Sequence, residues 1–171
     1  MFSYGVSRMI AKSIYVMLSG LPGSGKSTAR SFLRKMYRIN YIASSDDIIE
    51  RKCKADGITY NEGFSKYIES SQTQLNRNMN SALADGLNIL DDATNLTKHG
   101  RFNKLNIIPK SYFVICYYFP TPEENEWRLR LNSRPGKTIP EKVLENMKGY
   151  FVMPSIEEKF DMVFTVNGMK K

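Results

Sequence analysis

A glycine-rich loop near the start of the chain carries the clearest chemical signal. The sequence GLPGSGKST, residues 20–28, fits G-x-x-x-x-G-K-[S/T] and lies between a β-rich run, 13–19, and a run with helical periodicity, 26–37. In that setting, backbone N–H groups and the helix N-terminus point at nucleotide phosphates. Lys26 then reaches the β- and γ-phosphates, and Ser27 offers a hydroxyl to Mg²⁺. The predicted phosphate contacts are Gly20, Pro22, Gly23, Ser24, Gly25, Lys26, Ser27 and Thr28.

A pair of carboxylates follows the second β-rich run, 39–44. Asp46 and Asp47 stand side by side there, ahead of an apolar pair. Transfer of a phosphoryl group to a hydroxyl needs a carboxylate that orients or deprotonates the acceptor. Carboxylates that follow a parallel strand also face the ligand side of an α/β sheet. The two aspartates therefore offer a catalytic base, a metal ligand or the cap of the next helix.

A phosphate-binding loop indicates a nucleotide but does not identify the reaction. Guanine-nucleotide switches need D-x-x-G after a strand and N-K-x-D for the base. No aspartate of this chain has glycine three residues later, and the nearest approach to the second motif, 103–106, ends in asparagine. The sequence therefore disfavours a GTPase switch.

A third polar segment, LDDATNL, ends another β-rich run, 87–92. Its carboxylates could serve Mg²⁺ or its waters, and Thr94 and Asn95 could contact an acceptor. The alternative is that Asp91 or Asp92 only closes an Asx-turn at the end of the strand.

Basic residues are concentrated in a later segment, EWRLRLNSRPGKTIP. Arg130, Arg134 and Lys137 are spaced as one helical face, and Trp127 and Leu131 fall on a different stripe. Such a segment is suited to closing over a triphosphate, and we call residues 127–142 the lid segment. The alternative is a solvated basic face.

Alternating elements predict the fold class. Further β-rich runs, 111–119 and 160–166, are separated by segments with helical patterning. Capping boxes are predicted at Thr59/Glu62, Thr121/Glu124 and Thr138/Glu141. This order predicts a single three-layer α/β domain, residues 1–171, with a doubly wound parallel sheet of about five strands.

Composition limits the remaining possibilities. A net charge of +8 and a pI near 9.5 favour a polyanionic partner. The longest apolar run, 112–119, is too short to span a membrane, and residues 1–12 do not resemble a secretory signal, so a cytoplasmic protein is expected. Two cysteines and one histidine do not suggest a disulfide framework or a zinc site. We expect Cys116 to be buried and reduced, and His99 to lie at the surface.

Five segments in order resemble the kinase domain of phage polynucleotide 5′-kinases, within the wider P-loop kinases. They are GLPGSGKST, SSDD, DATN, Arg101 and RLNSRPGKTIPEKVLENM, and the resemblance runs from Ile14 to Val166. It implies that Lys26 and Ser27 hold the donor phosphates and that Asp46 is the general base. It further implies that Arg134, with Arg130, binds the donor phosphates from a lid. The residues expected near the acceptor are Asp92, Thr94 and Asn95.

Two departures from that family concern the acceptor. The phage enzymes carry arginines just before and three residues after the catalytic aspartate, where this chain has Ser45 and Ile49. The second of those arginines binds the acceptor's phosphate in the family, and Arg51 is a candidate to replace it from one turn away. No D-x-D-G-T phosphatase motif occurs.

The sequence thus predicts an ATP- and Mg²⁺-dependent kinase that acts on the 5′-hydroxyl of DNA or RNA, located in the host cytoplasm if the chain is phage-encoded. One alternative is a P-loop kinase of a small molecule, a nucleoside or a modified DNA base. A second is a nucleic-acid-binding ATPase that phosphorylates no acceptor. The oligomeric state and the choice between starts at Met1 and Met9 stay open.

Overall fold

A central parallel sheet organises the protein in the computed structural model, which describes residues 12–134 and 136–166. The elements, in chain order, are β1 (Ser13–Ser19), α1 (Lys26–Met36), β2 (Tyr41–Ala43), α2 (Ser45–Asp56), α3 (Tyr60–Ala84), β3 (Ile89–Asp91), α4 (Lys98–Asn106), β4 (Tyr112–Tyr118), α5 (Glu124–Asn132), α6 (Glu141–Tyr150) and β5 (Met162–Thr165). A 3₁₀ turn, Ile156–Glu158, precedes β5.

The strands are ordered β2-β3-β1-β4-β5, and every pair is parallel. Strand β3 therefore lies between β1 and β2, and Asp91 is in register with both Met17 and Ala43. The polar segments that follow these three strands consequently meet at one edge of the sheet. The predicted five-stranded α/β fold is confirmed.

Helices cover both faces of the sheet, and successive side chains of β1 point to opposite faces. Tyr15 and Met17 pack with the apolar residues of α3 and α4, whereas Val16 and Leu18 pack with α1. All four are fully buried, as expected for a parallel strand covered on both sides. This packing confirms the three predicted layers and fixes the loop after β1 at the centre of the domain.

Two predicted capping boxes are wrong. The box at Thr59/Glu62 is present and opens α3. The other two helices begin later, with Glu123 and Pro140 as N-caps that make no side-chain cap bond. Glu124 instead pairs with Arg128 and Lys148. A helix capped by Thr138 would need Ile139 in α conformation, which the following proline disfavours.

Several simpler expectations hold. Cys116 is buried and free, and burial raises the pKa of its thiol to about 12. His99 is exposed. Across the described residues, we find no helix with the length and apolar character needed to cross a membrane.

Candidate active site

The phosphate-binding loop runs from the end of β1 into α1 in a conformation that needs glycine. At Gly20, φ is 155°, and a Cβ atom would lie 2.6 Å from the carbonyl oxygen of Phe119. At Gly23, φ is 78°, and a Cβ atom would lie 3.2 Å from Cδ1 of Trp127. Either side chain would also narrow the loop from which backbone N–H groups reach phosphate oxygens.

Hydroxyl groups of the loop fit a phosphate ligand. The Ser24 hydroxyl is buried and has no hydrogen-bond partner among the described residues. Such orphaned groups are uncommon in folded proteins and call for a physical explanation, such as an absent ligand. Ser27 and Thr28 begin α1 with exposed side chains. The loop therefore retains the donors that nucleotide phosphates would use.

Lys26 folds back onto the same loop. Its Nζ donates to the carbonyl oxygens of Gly20 and Leu21 at 2.6 and 2.8 Å. Burial lowers the pKa of its ammonium group to about 8. The charges of Asp92 and Asp46 oppose that lowering, whereas the charge of Arg134 adds to it.

Replacing Lys26 with methionine is expected to stabilise the protein in the absence of nucleotide. Because its folded-state pKa is about 8 and its ordinary value 10.5, the unfolded chain binds more protons between these values. Wild-type stability therefore rises with pH across that window, and the buried charge is costly below it. We expect Lys26→Met to raise the free energy of unfolding by about 1–2 kcal/mol at pH 7, with a smaller difference near pH 10.

Urea unfolding at the two pH values measures this difference. Lys35→Met is the matched control, since Lys35 is exposed at the other end of α1. The Lys26 variant should also lose the rise in melting temperature that ATP produces. A variant less stable than wild type at pH 7 that still responds to ATP would contradict the assignment.

Arg30 joins the polar ends of two strands. Its guanidinium pairs with Asp47 through two nitrogens and donates to Oδ2 of Asp92 at 3.0 Å. Burial acts to raise the pKa of the Asp47 carboxyl, but Arg30 holds it below its usual range. The N-cap of α2 is Ser44, whose hydroxyl accepts from the Asp47 N–H at 3.2 Å. Asp47 is therefore not the helix cap but the partner of Arg30.

The neighbouring aspartates at the end of β3, Asp91 and Asp92, differ in their surroundings. Asp91 is buried and accepts hydrogen bonds from Tyr15, Asn95 and Lys104. Asp92 is only partly buried, and burial raises the pKa of its carboxyl against the opposing charges of Arg30 and Lys26. Asp91 supports the fold, whereas Asp92 pairs with Arg30 of α1.

The side chains at this edge of the sheet also suit the Mg²⁺ ion that binds together with a nucleotide. No group of three or more His, Cys, Asp or Glu side chains able to hold a metal occurs in the ranges that the structure describes. Mg²⁺ bound with a nucleotide needs only one or two protein oxygens, because phosphates and water supply the rest. Ser27 is the predicted protein ligand, and Asp92 is a predicted carboxylate partner for the ion or its waters.

Asp46 belongs to a cluster on the other side of α2. Tyr60 donates to its Oδ1 at 2.7 Å, and Nζ of Lys137 lies 3.6 Å from its Oδ2. Lys137 also pairs with Glu50 and lies over the Tyr60 ring, 4.3 Å from the centroid. Burial, and then the bond to Asp46, raise the pKa of the Tyr60 hydroxyl. Tyr60 therefore stays a donor and fixes one carboxylate oxygen.

The DATN segment holds the phosphate-binding loop in place. The carbonyl oxygen of Thr94 accepts from the Gly20 N–H at 2.9 Å. The Asn95 amide donates to the Leu18 carbonyl at 2.7 Å and to Asp91, and its oxygen accepts from Lys104. All hydrogen-bonding groups of the Asn95 side chain are thus engaged within the protein. We therefore assign Asn95 to support of the site rather than to contact with an acceptor.

Arg101 ties that segment to the C-terminal part of the described chain. It is fully buried and pairs with Glu158 through two bonds of 2.8 and 2.7 Å. It also donates to the carbonyl oxygens of Asn95, Leu96 and Val152. Arg101 therefore has a structural role: it anchors the DATN segment, which in turn holds the phosphate-binding loop.

The lid segment is rooted on the phosphate-binding loop. Trp127 is fully buried, and its Nε1 donates to the Pro22 carbonyl oxygen at 2.6 Å. Arg130 reaches the Gly23 carbonyl oxygen at 3.4 Å and pairs with Glu126. The root of the lid and the loop therefore form one packed unit.

The predicted helical face of the lid is wrong. Helix α5 ends at Asn132, so Arg134 and Lys137 lie beyond it and do not continue the face of Arg130. Arg134 precedes Pro135, which lies outside the described residues, and a residue before proline avoids the α region. Lys137 nevertheless reaches the site, with its Nζ 3.6 Å from Oδ2 of Asp46, and Arg134 lines the same small cavity as Lys137.

A family model described as an AAA domain, AAA_33, matches residues 16–154 of the chain. The chain belongs to the AAA_33 family. A search of curated proteins finds no significant match for this AAA_33 domain.

Solved structures share the fold. A sugar kinase from Janibacter is similar with a TM-score of 0.59 and 16% identity, covering 90% of this chain and 84% of its own. A fungal RNA kinase is similar with a TM-score of 0.58 and 16% identity. The match covers 94% of this chain and 77% of the fungal chain. A chain of the Pnkp1/Rnl/Hen1 RNA repair complex is similar with a TM-score of 0.57 and 25% identity. The match covers 92% of this chain and 49% of the chain from the complex. The AAA_33 domain thus has a P-loop kinase fold.

The site contacts of three residues of the AAA_33 domain were missed from the sequence. Arg30 lies one turn after Lys26 on α1, so helical spacing could have found it. Tyr60 and Trp127 reach the site from 14 and 105 residues away from their partners, and no local pattern marks such contacts. Of the predicted acceptor residues, Arg51 does not join Asp46 but faces a separate groove. Ile49, at the position of the missing family arginine, is fully buried.

Proposed function

We propose that this P-loop kinase transfers the γ-phosphoryl group of ATP to the 5′-hydroxyl of a polynucleotide. The observation that supports this most is the meeting of three polar segments at one end of the parallel sheet. Lys26 lies on the phosphate-binding loop, and Arg30, one turn later on α1, joins Asp92 after β3 to Asp47 of α2. Asp46, beside Asp47, lies 3.6 Å from the Nζ of Lys137 in the lid segment. Phosphoryl transfer needs this combination of cations at the phosphates and a carboxylate at the acceptor.

Each residue has a definite role in this proposal. Asp46 orients the acceptor hydroxyl and takes its proton, while Tyr60 holds the carboxylate. Lys26 and Ser27 bind the donor phosphates, and Arg134, assisted by Arg130, stabilises the charge of the migrating group. When bound with ATP, Mg²⁺ supplies further neutralisation of the β- and γ-phosphates.

The proposed acceptor rests on charge and on similarity. The chain carries a net charge of +8, which suits a polyanion. It is also similar to a chain of an RNA repair complex at 25% identity. Asp92 and Thr94 are the proposed acceptor contacts near Asp46.

A second candidate is a kinase of a small molecule. The observation that favours it is Ile49, which is fully buried where the resembling enzymes place an acceptor-binding arginine. The similar sugar kinase shows that the same fold serves such acceptors.

One experiment separates these candidates. The protein is incubated with γ-labelled ATP and 5′-hydroxyl DNA, 5′-hydroxyl RNA, nucleosides and sugars, and the labelled product is identified. We expect label on oligonucleotides, at a rate that falls as salt is raised. Label only on a nucleoside or sugar would replace the proposed acceptor, and release of phosphate without labelled acceptor would indicate an ATPase.

A further inference from the structure

A groove opens along the edge of the sheet beside α2. It encloses about 450 Å³, and the lining residues that matter here are Tyr41, Asp47, Glu50, Arg51, Lys54 and Asn78. They come from the edge strand β2, from α2 and from α3. The groove begins at Asp47, the residue next to the proposed base, and extends along α2 away from the phosphate-binding loop.

Two carboxylates and two cations line the groove. Both carboxylates are paired with cations outside it: Asp47 shares Arg30 with Asp92, and Glu50 shares Lys137 with Asp46. Arg51 and Lys54 are exposed, and neither forms a salt bridge with a described residue. The groove therefore presents two cations that no carboxylate of the described residues pairs with directly.

The remaining lining offers groups that suit nucleotides. Tyr41 is half-buried and presents an aromatic ring, and Asn78 of α3 is exposed beside it. Aromatic rings stack on bases, and cations bind the phosphates between them. Arg51 is held in position by a bond from its Nε to the Asp47 carbonyl oxygen at 3.3 Å.

We infer that this groove binds the phosphodiester backbone of a single-stranded acceptor, downstream of the nucleotide whose 5′-hydroxyl faces Asp46. The inference rests on the proposed function and adds a location for the acceptor strand. Arg51 and Lys54 bind phosphates of the strand, and Tyr41 contacts a base. Arg51 thus grips the acceptor on the Asp47 side of α2 rather than beside Asp46.

Salt-dependent binding tests the inference. A 12-nucleotide 5′-hydroxyl oligonucleotide labelled at its 3′ end is titrated with wild type and with Arg51→Ala/Lys54→Ala, followed by fluorescence anisotropy. Each lost phosphate contact reduces the slope of log K against log salt by about 0.7 on single strands. We expect the double variant to lose about 1.4 from that slope, and its KM for the oligonucleotide to rise about tenfold.

A matched variant controls for net charge. Lys35→Ala/Lys110→Ala removes two exposed lysines that do not line the groove, one near the end of α1 and one before β4. It should keep the wild-type slope and KM. Thermal unfolding shows whether each double variant remains folded.

The outcomes separate the groove from the reaction. If the double variant matches the control in slope and KM, the inference that the groove binds the acceptor strand is overturned. Phosphorylation of the oligonucleotide by wild type would still support the proposed function in that case. Wild type that binds the oligonucleotide through the two cations but never phosphorylates it supports the groove and overturns the proposed function. If wild type does not bind the oligonucleotide, the groove inference and the proposed function are both overturned.

Discussion

Asp46→Asn is expected to lower the rate of phosphoryl transfer by about two to four orders of magnitude, the usual contribution of a positioned base. The amide keeps the shape of the carboxylate and can still accept from Tyr60, so the fold should persist. Binding of ATP should change little, because Lys26 and Ser27 supply the phosphate contacts. Single-turnover transfer from labelled ATP measures the rate, and the ATP-induced rise in melting temperature measures binding.

Asp56→Asn is the control for this variant. Asp56 ends the same helix and lies at the surface, paired with Lys66. It should retain transfer at nearly the wild-type rate. Wild-type turnover by Asp46→Asn would remove Asp46 from the role of base.

Arg101→Met is expected to cause the largest loss of stability, about 3–5 kcal/mol. The substitution leaves Glu158 as an unpaired buried carboxylate and three carbonyl oxygens without their donor. The DATN segment would lose its anchor. The carbonyl oxygen of Thr94 in that segment would then no longer be held in place to accept from the Gly20 N–H. Urea unfolding gives the free energy, and the change in ATP affinity shows whether the loop is disturbed.

Arg128→Met is the matched control on the surface. Arg128 pairs with Glu124 and Glu141, but exposed pairs contribute little because water screens them. It should cost less than about 1 kcal/mol. Equal losses in the two variants would show that Arg101 is not a structural anchor.

Local patterns account for what could be predicted. The phosphate-binding loop depends on residues within one short segment, and β1 and β4 are marked by apolar runs bounded by turns. The capping box of α3 is likewise local. Such features depend on neighbours in the chain, so the sequence contains the information needed to find them.

Long-range pairing explains the rest. The position of β3 between β1 and β2 places Asp92 between Lys26 and Asp47, and no spacing in the chain reveals that order. Arg30 meets carboxylates 17 and 62 residues away. The spacing of Arg134 from Arg130 suggested a continuous helix, but the local effect of Pro135 outweighs that periodicity.

Trp127 gives the protein a built-in optical label. It is the one tryptophan among the 171 residues, and its indole lies against Gly23 and donates to Pro22. Tryptophan emission from the unmodified protein therefore originates at the phosphate-binding loop. Nucleotide entry, and any shift of the lid root against the loop, can be followed in solution without attaching a dye.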